Sequence, residues 1–163
     1  MGMSFLIPKD IKYYTGDYMS SVGIKISPIK DGYLLYNNQG DLIGQVFKPR
    51  KDPITFSLAD SWTYEFTGSG NNIKISPKVS DDVENKEIKN PSARKRVQPA
   101  YEIFGNVMNL HYDMYELKPG DKKPRMLYQV IAHPLKDEYV GIKVEDYANP
   151  IIAIGFTLAI SLV

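Results

Sequence analysis

The stretch IIAIGFTLAISLV, residues 151–163, decides how the rest of the chain is read. It is apolar on every side. A surface helix shows one apolar stripe, whereas a helix apolar all round is buried in a core or sits in a membrane. As a helix it is about 20 Å long, at roughly 1.5 Å per residue. A bilayer core is about 30 Å thick and takes about 20 apolar residues to cross. No Lys or Arg follows the stretch. The length therefore favours a central core helix over residues 150–163, with a C-terminal membrane tail as the alternative. Asn149 suits an N-cap and Pro150 a first helical position.

Upstream, most of the chain reads as short strands with turn punctuation. YLLY at 33–36 and LIGQVF at 42–47 flank the turn signal NNQG and form a hairpin. TFSL at 55–58, TYEF at 63–66 and IKIS at 73–76 alternate polar and apolar, as half-buried strands do. Further strands are expected at 101–107, 111–117, 126–132 and 139–144. Two regions break the pattern. Residues 9–30 have no clean period and suit a helix or an irregular segment. Residues 78–99 are acidic first (Asp81, Asp82, Glu84), then basic (Arg94, Lys95, Arg96), with Pro77, Pro91 and Pro99 around them. That composition predicts a long solvated loop. No internal repeat stands out.

The chain of 163 residues fits one domain with a core of its own. The net charge of +1 supplies no whole-protein attraction to nucleic acid or membrane. The absence of Cys excludes disulfides, thiolate zinc sites and a thiol nucleophile. No secretory signal is visible in MGMSFLIPKD. Leu6 stands where a myristoylation pattern wants Ser or Thr. A cytoplasmic protein is the expectation. Twelve tyrosines lean the composition towards β structure.

One all-round apolar helix after a series of strands poses a packing question, because it needs walls on every side. A sheet curled on itself supplies them and also removes its own edges. The fold expected is mainly β: a closed antiparallel β-barrel of about twelve strands enclosing the C-terminal helix. Ala153, Gly155 and Ala159 would let strand side chains approach that helix.

The ordered series YEIFGN at 101–106, YDMY at 112–115, VIA at 130–132, YVGIKVED at 139–146 and the helix from Asn149 resembles a tubby C-terminal-like domain. More narrowly it is similar to the LURP-one-related and phospholipid-scramblase-like branch, and the hairpin at 36–43 resembles that branch's early strand, N-x-x-G, strand element. The resemblance implies a twelve-stranded barrel around a central helix. It also implies functions that diverge: phosphoinositide binding by basic residues in tubby proteins, membrane association with a calcium-responsive acidic segment in scramblase-like ones. Fold alone does not choose among them.

Three basic clusters fall in predicted loops: Lys48, Arg50 and Lys51; Arg94, Lys95 and Arg96; Lys122, Lys123 and Arg125. Each would draw anionic lipid headgroups, and together they would form a patch if the loops share one end of the barrel. They are not matched to the tubby headgroup site residue by residue, and ordinary solvated loops are the simpler reading of them, since charge runs usually serve solubility. Glu145, Asp146 and Asn149 lack the spacing of a calcium loop and suit helix capping. His111 and His133 are the only histidines, have no nucleophile and acid in a recognisable order beside them, and make no metal site. Gly68-x-Gly70 is a turn, with no helix start after it. Trp62, Tyr64 and Phe66 suit core or cross-strand pairs better than a ligand pocket. Arg94 to Arg96 near Tyr101 lack the stacking platform of an RNA binder. The expectation is a non-enzymatic barrel without metal, cofactor or nucleic-acid partner, acting as a peripheral membrane adaptor for anionic phospholipid. The alternative is a protein–protein module, regulatory or toxin-neutralising.

Overall fold

The computed structural model describes residues 2–11, 16–59, 62–78, 100–118, 120–132 and 138–163. Among these, the strands are β1 (Met3–Pro8), β2 (Tyr18–Met19), β3 (Lys25–Ile29), β4 (Gly32–Tyr36), β5 (Leu42–Phe47) and β6 (Ile54–Leu58). They continue with β7 (Thr63–Thr67), β8 (Lys74–Lys78), β9 (Ala100–Asn106), β10 (His111–Leu117), β11 (Arg125–Ala132) and β12 (Tyr139–Val144). One helix, α1 (Pro150–Leu162), follows. The protein is mainly β with two sheets. One has the order β1-β12-β11-β10-β9 and the other runs β2 to β8 in chain order. Every neighbouring pair is antiparallel. Backbone ladders run within each sheet, and side chains tie the seams between them. At one seam the Tyr18 hydroxyl of β2 donates to the Leu6 carbonyl of β1 at 2.9 Å. At the other, the Val107 amide donates to Asn71 Oδ1 at 2.8 Å, and the Tyr64 and Tyr101 hydroxyls lie 3.4 Å apart.

The strands form where alternation puts apolar side chains on one face. In β4, Tyr33 and Leu35 point inward; in β10, Tyr112 and Met114 do, and the same alternation carries Glu116 inward with them. The hairpin at 36–43 turns as its sequence predicts. Asn37 Oδ1 accepts from the Gln39 and Asp41 amides at 2.9 Å each, and Gly40 supplies the left-handed residue at φ 85°. Two expectations are corrected. Within residues 9–30 the described residues include two strands, β2 and β3, that were not anticipated, and neither was β1. The loop expected at 78–99 lies outside the described residues, except for Lys78, which ends β8.

The helix is the centre of the core. Asn149 caps it, accepting from the Ile151 amide at 2.9 Å, and Pro150 opens it, as expected. Every residue from Ala153 to Ile160 is buried. The helix touches β5 and β6 of one sheet and β11 and β12 of the other. Burial of Ile154, Phe156 and Leu158 contributes about 1.5–3 kcal/mol for each side chain. The Phe156 ring meets Phe56, Tyr64, Phe66 and Tyr101 edge-on at 5.0–5.9 Å, so rings from both sheets converge on it. Thr157 is tolerated inside because its hydroxyl donates to the Ala153 carbonyl at 2.7 Å. Gly155 is required by close approach: a Cβ there would stand 2.2 Å from the Phe56 ring. No helix of the described residues is long and apolar enough to cross a membrane.

Candidate functional site

Successive antiparallel strands carry their loops alternately to the two ends of α1, and this sorts the basic clusters. At the N-terminal end of the helix, Arg125, Lys118 and Glu116 line a hollow of about 180 Å³ with Tyr147, Asn149 and Ile152. At the C-terminal end, Lys48 stands against the β3–β4 turn and Leu162. Lys48, Arg50 and Lys51, on the β5–β6 connection, are exposed there. Lys122 and Lys123 are exposed on the β10–β11 connection, at the other end. The two loops are thus separated by the length of the helix, about 20 Å, and form no common patch. Arg125 is the first residue of β11 rather than a loop residue. Arg94, Lys95, Arg96 and His133 lie outside the described residues.

The N-terminal end carries a polar network centred on Glu116. The buried Glu116 carboxylate takes Arg125 Nη2 at 3.5 Å and Lys118 Nζ at 3.9 Å on the same oxygen. The Arg125 guanidinium lies 4.2 Å over the Tyr147 ring, and the Tyr147 hydroxyl donates to the Met126 carbonyl. Burial raises the Tyr64 and Tyr101 phenols above the ordinary value, and the Glu116 carboxylate adds to it. Arg125 is thereby committed to the fold. Asp121, Glu145 and Asp146 interleave with the remaining cations of this end.

The C-terminal end is open. A cavity of about 580 Å³ is bounded by the last turns of α1 (Thr157, Leu158, Ile160), by Ile7 of β1, by Ile73 and by the β9–β10 turn at Val107 and Leu110. Tyr33 and Tyr112 are among the side chains that line it. Tyr33 is 2% exposed, yet its hydroxyl has no hydrogen-bond partner. Its phenol is pushed up to about 12 by burial, so it is neutral and available as a donor at ordinary pH. Tyr112 lies fully buried near Tyr128 and Thr157, and burial raises it too. Leu110 holds a left-handed φ of 56°, uncommon for a bulky side chain. Lys9 and Asp10 are exposed at the rim, as is Met108 at 79%. The sequence reading missed Tyr33. Its signal was there: an inward position on an alternating strand occupied by a residue whose hydroxyl needs a partner when buried.

The remaining candidates fall to packing. Tyr64 and Phe66 are buried against Phe156, and Trp62 packs half-buried on the core. His111 is exposed at the start of β10. Among the described residues no three of His, Asp and Glu gather as metal ligands would. The cavity at the C-terminal end of α1 is lined chiefly by apolar side chains. No family model, curated protein or solved structure matches the chain.

Proposed function

We propose that the chain is a non-enzymatic binding module that meets anionic phospholipid surfaces with the end at which α1 terminates. One observation carries this reading. The exposed loop cations Lys48, Arg50 and Lys51 sit beside an exposed apolar pair, Ile29 and Phe47, which flank Gly32 in one cross-strand row. Cations next to apolar side chains suit an interface of headgroups over acyl chains. Asp31 and Asp52 flank the loop, so the attraction is short-ranged and fades with salt. The protein would be peripheral to the membrane. The reading includes closure of the two sheets into one barrel around α1. Its support is the Tyr18–Leu6 bond at one seam and the Asn71–Val107 and Tyr64–Tyr101 contacts at the other.

Co-sedimentation with neutral and anionic vesicles tests it. Reversing Lys48, Arg50 and Lys51 to Glu should weaken anionic-vesicle binding about tenfold or more. Reversing Lys122 and Lys123 should change it little. Equal loss from both sets, or binding that ignores lipid charge, would overturn the assignment to this end. A second reading, docking of a protein partner, finds support in the half-exposed Phe104 ring, which stacks edge-on against Tyr115 at 5.2 Å. Phe104→Ala should then abolish capture of a stoichiometric partner, and capture unaffected by it would remove that face.

A further inference from the structure

We propose that the outer face of the β9–β10 pair docks a basic segment of a partner protein, whose arginine side chain seats on the Phe104 ring between the Glu102 and Asp113 carboxylates. The inference deepens the protein-docking reading of the Phe104 face and rests on it; the lipid reading of the Lys48 loop is independent of both. Four outward side chains carry it: Glu102 and Phe104 on β9, Asp113 and Tyr115 on β10. The register sets Glu102 opposite Tyr115 and Phe104 opposite Asp113. The four form a square, with rings on one diagonal and carboxylates on the other. Opposed positions stand about 5 Å apart and positions two along a strand about 7 Å, so each carboxylate adjoins both rings.

What this square lacks is a cation. Phe104 is 53% exposed and meets the Tyr115 ring edge-on. Asp113 accepts from the neutral Gln129 amide at 2.7 Å, and Glu102 is exposed. Among the described residues no Lys, Arg or His pairs with either carboxylate or lies over either ring. In the row of Phe104, Lys143 stands beyond Gln129, two strands from Asp113, about 10 Å away. Elsewhere the fold twice joins a cation to a ring and a carboxylate. Arg125 lies over Tyr147 and pairs with Glu116; Lys25 lies over Tyr36 and pairs with Asp17. The β9–β10 square has the rings and the carboxylates and leaves the cation to a partner. A planar guanidinium suits it, because it stacks on a ring while donating in its own plane to carboxylates. A quaternary ammonium sits on a ring but has no proton to donate. β9 is also the last strand of its sheet, so an extended segment of a partner reaches the square from the sheet margin.

The test titrates the full chain with the blocked peptide Gly-Ser-Arg-Ser-Arg-Ser-Gly and follows ring and amide resonances by NMR. A second peptide carries citrulline at both arginines, which keeps the shape and removes the charge. The arginine peptide should shift Phe104 and Tyr115 and bind about fivefold or more tighter than the citrulline one. Phe104→Ala and Glu102→Gln should each weaken it about three- to tenfold at an unchanged melting temperature. No shifts at the square, equal binding of the citrulline peptide, or equal binding of tetramethylammonium would overturn the arginine site. A partner captured through Phe104 but indifferent to Glu102→Gln would leave the docking reading standing and overturn this contact alone. Peptide binding indifferent to Phe104→Ala would remove the face from both.

Discussion

The two ends of α1 are finished in opposite ways. At the N-terminal end Asn149 caps the first turn, Glu116 holds two cations and Tyr147 lies under a guanidinium, with Arg125 Nε left buried without a partner. At the C-terminal end a cavity is left, a buried hydroxyl has no partner, and a leucine takes a left-handed backbone. Both ends are built on the same helix and the same strands. Each end leaves a buried polar atom without a partner, and the two differ in the volume of the hollow beside it, about 180 Å³ against about 580 Å³.

Alkali should break both ends together, and with the largest effect. Tyr33, Tyr64, Tyr101, Tyr112 and Tyr128 all have phenols raised by burial. The unfolded chain ionises at about 10, earlier than the folded one. Stability from these groups is therefore fully present below pH 10 and lost as pH rises towards about 12, where Tyr33 titrates. The tyrosinate absorbance of these five phenols should appear together with the loss of the circular-dichroism signal, above pH 10. Tyrosines that all ionise near 10 with the fold intact would contradict the burial.

Next comes Phe156, the ring on which both sheets converge. Phe156→Ala should cost about 3–5 kcal/mol in urea unfolding. A loss below about 1 kcal/mol would mean that the sheets do not depend on the helix. Separating the two ends takes smaller changes. Asn149→Ala should cost about 1 kcal/mol through the lost cap, whereas Ser161→Ala at the other end should stay within about 0.5 kcal/mol. Equal losses would erase the contrast. The smallest effect has the opposite sign: Tyr33→Phe should leave the ligand-free protein as stable as wild type or raise its melting temperature by a few degrees, because it removes an unanswered polar group. A clear drop would show that the hydroxyl is already satisfied.

Much of this was legible in the sequence, and the reasons are specific. The strands from β4 onward announced themselves by alternation, and the helix by being apolar all round and capped by Asn149. The strands β1 to β3 did not. Pro28 within β3 argues against a strand, and β1 pairs only with β12, more than a hundred residues away. The basic residues were visible as clusters, but their sharing of a face depends on strand parity. In the fold, Lys48 of one loop stands by Leu162, whereas Lys118 and Arg125 on either side of the other stand by Asn149, at opposite ends of α1. The cavity was not legible at all, because it is a volume between elements distant in the chain. Inward Tyr33, Tyr64, Tyr101, Tyr112 and Tyr128, with Glu116, marked the places where the alternation carried a polar group inside.

The order of elements along the chain has a kinetic consequence. All twelve described strands precede the helix that fills them, so synthesis delivers the shell before its filling, and β1 must wait for β12 to find its partner. Until α1 emerges, the inward faces of both sheets have nothing to close on. Contacts of such long sequence separation fold slowly, and half-made sheets expose edges and apolar faces in the meantime. The protein should therefore fold only once α1 is available rather than strand by strand, and its window of vulnerability to aggregation closes only when the Phe156 ring slots between the sheets.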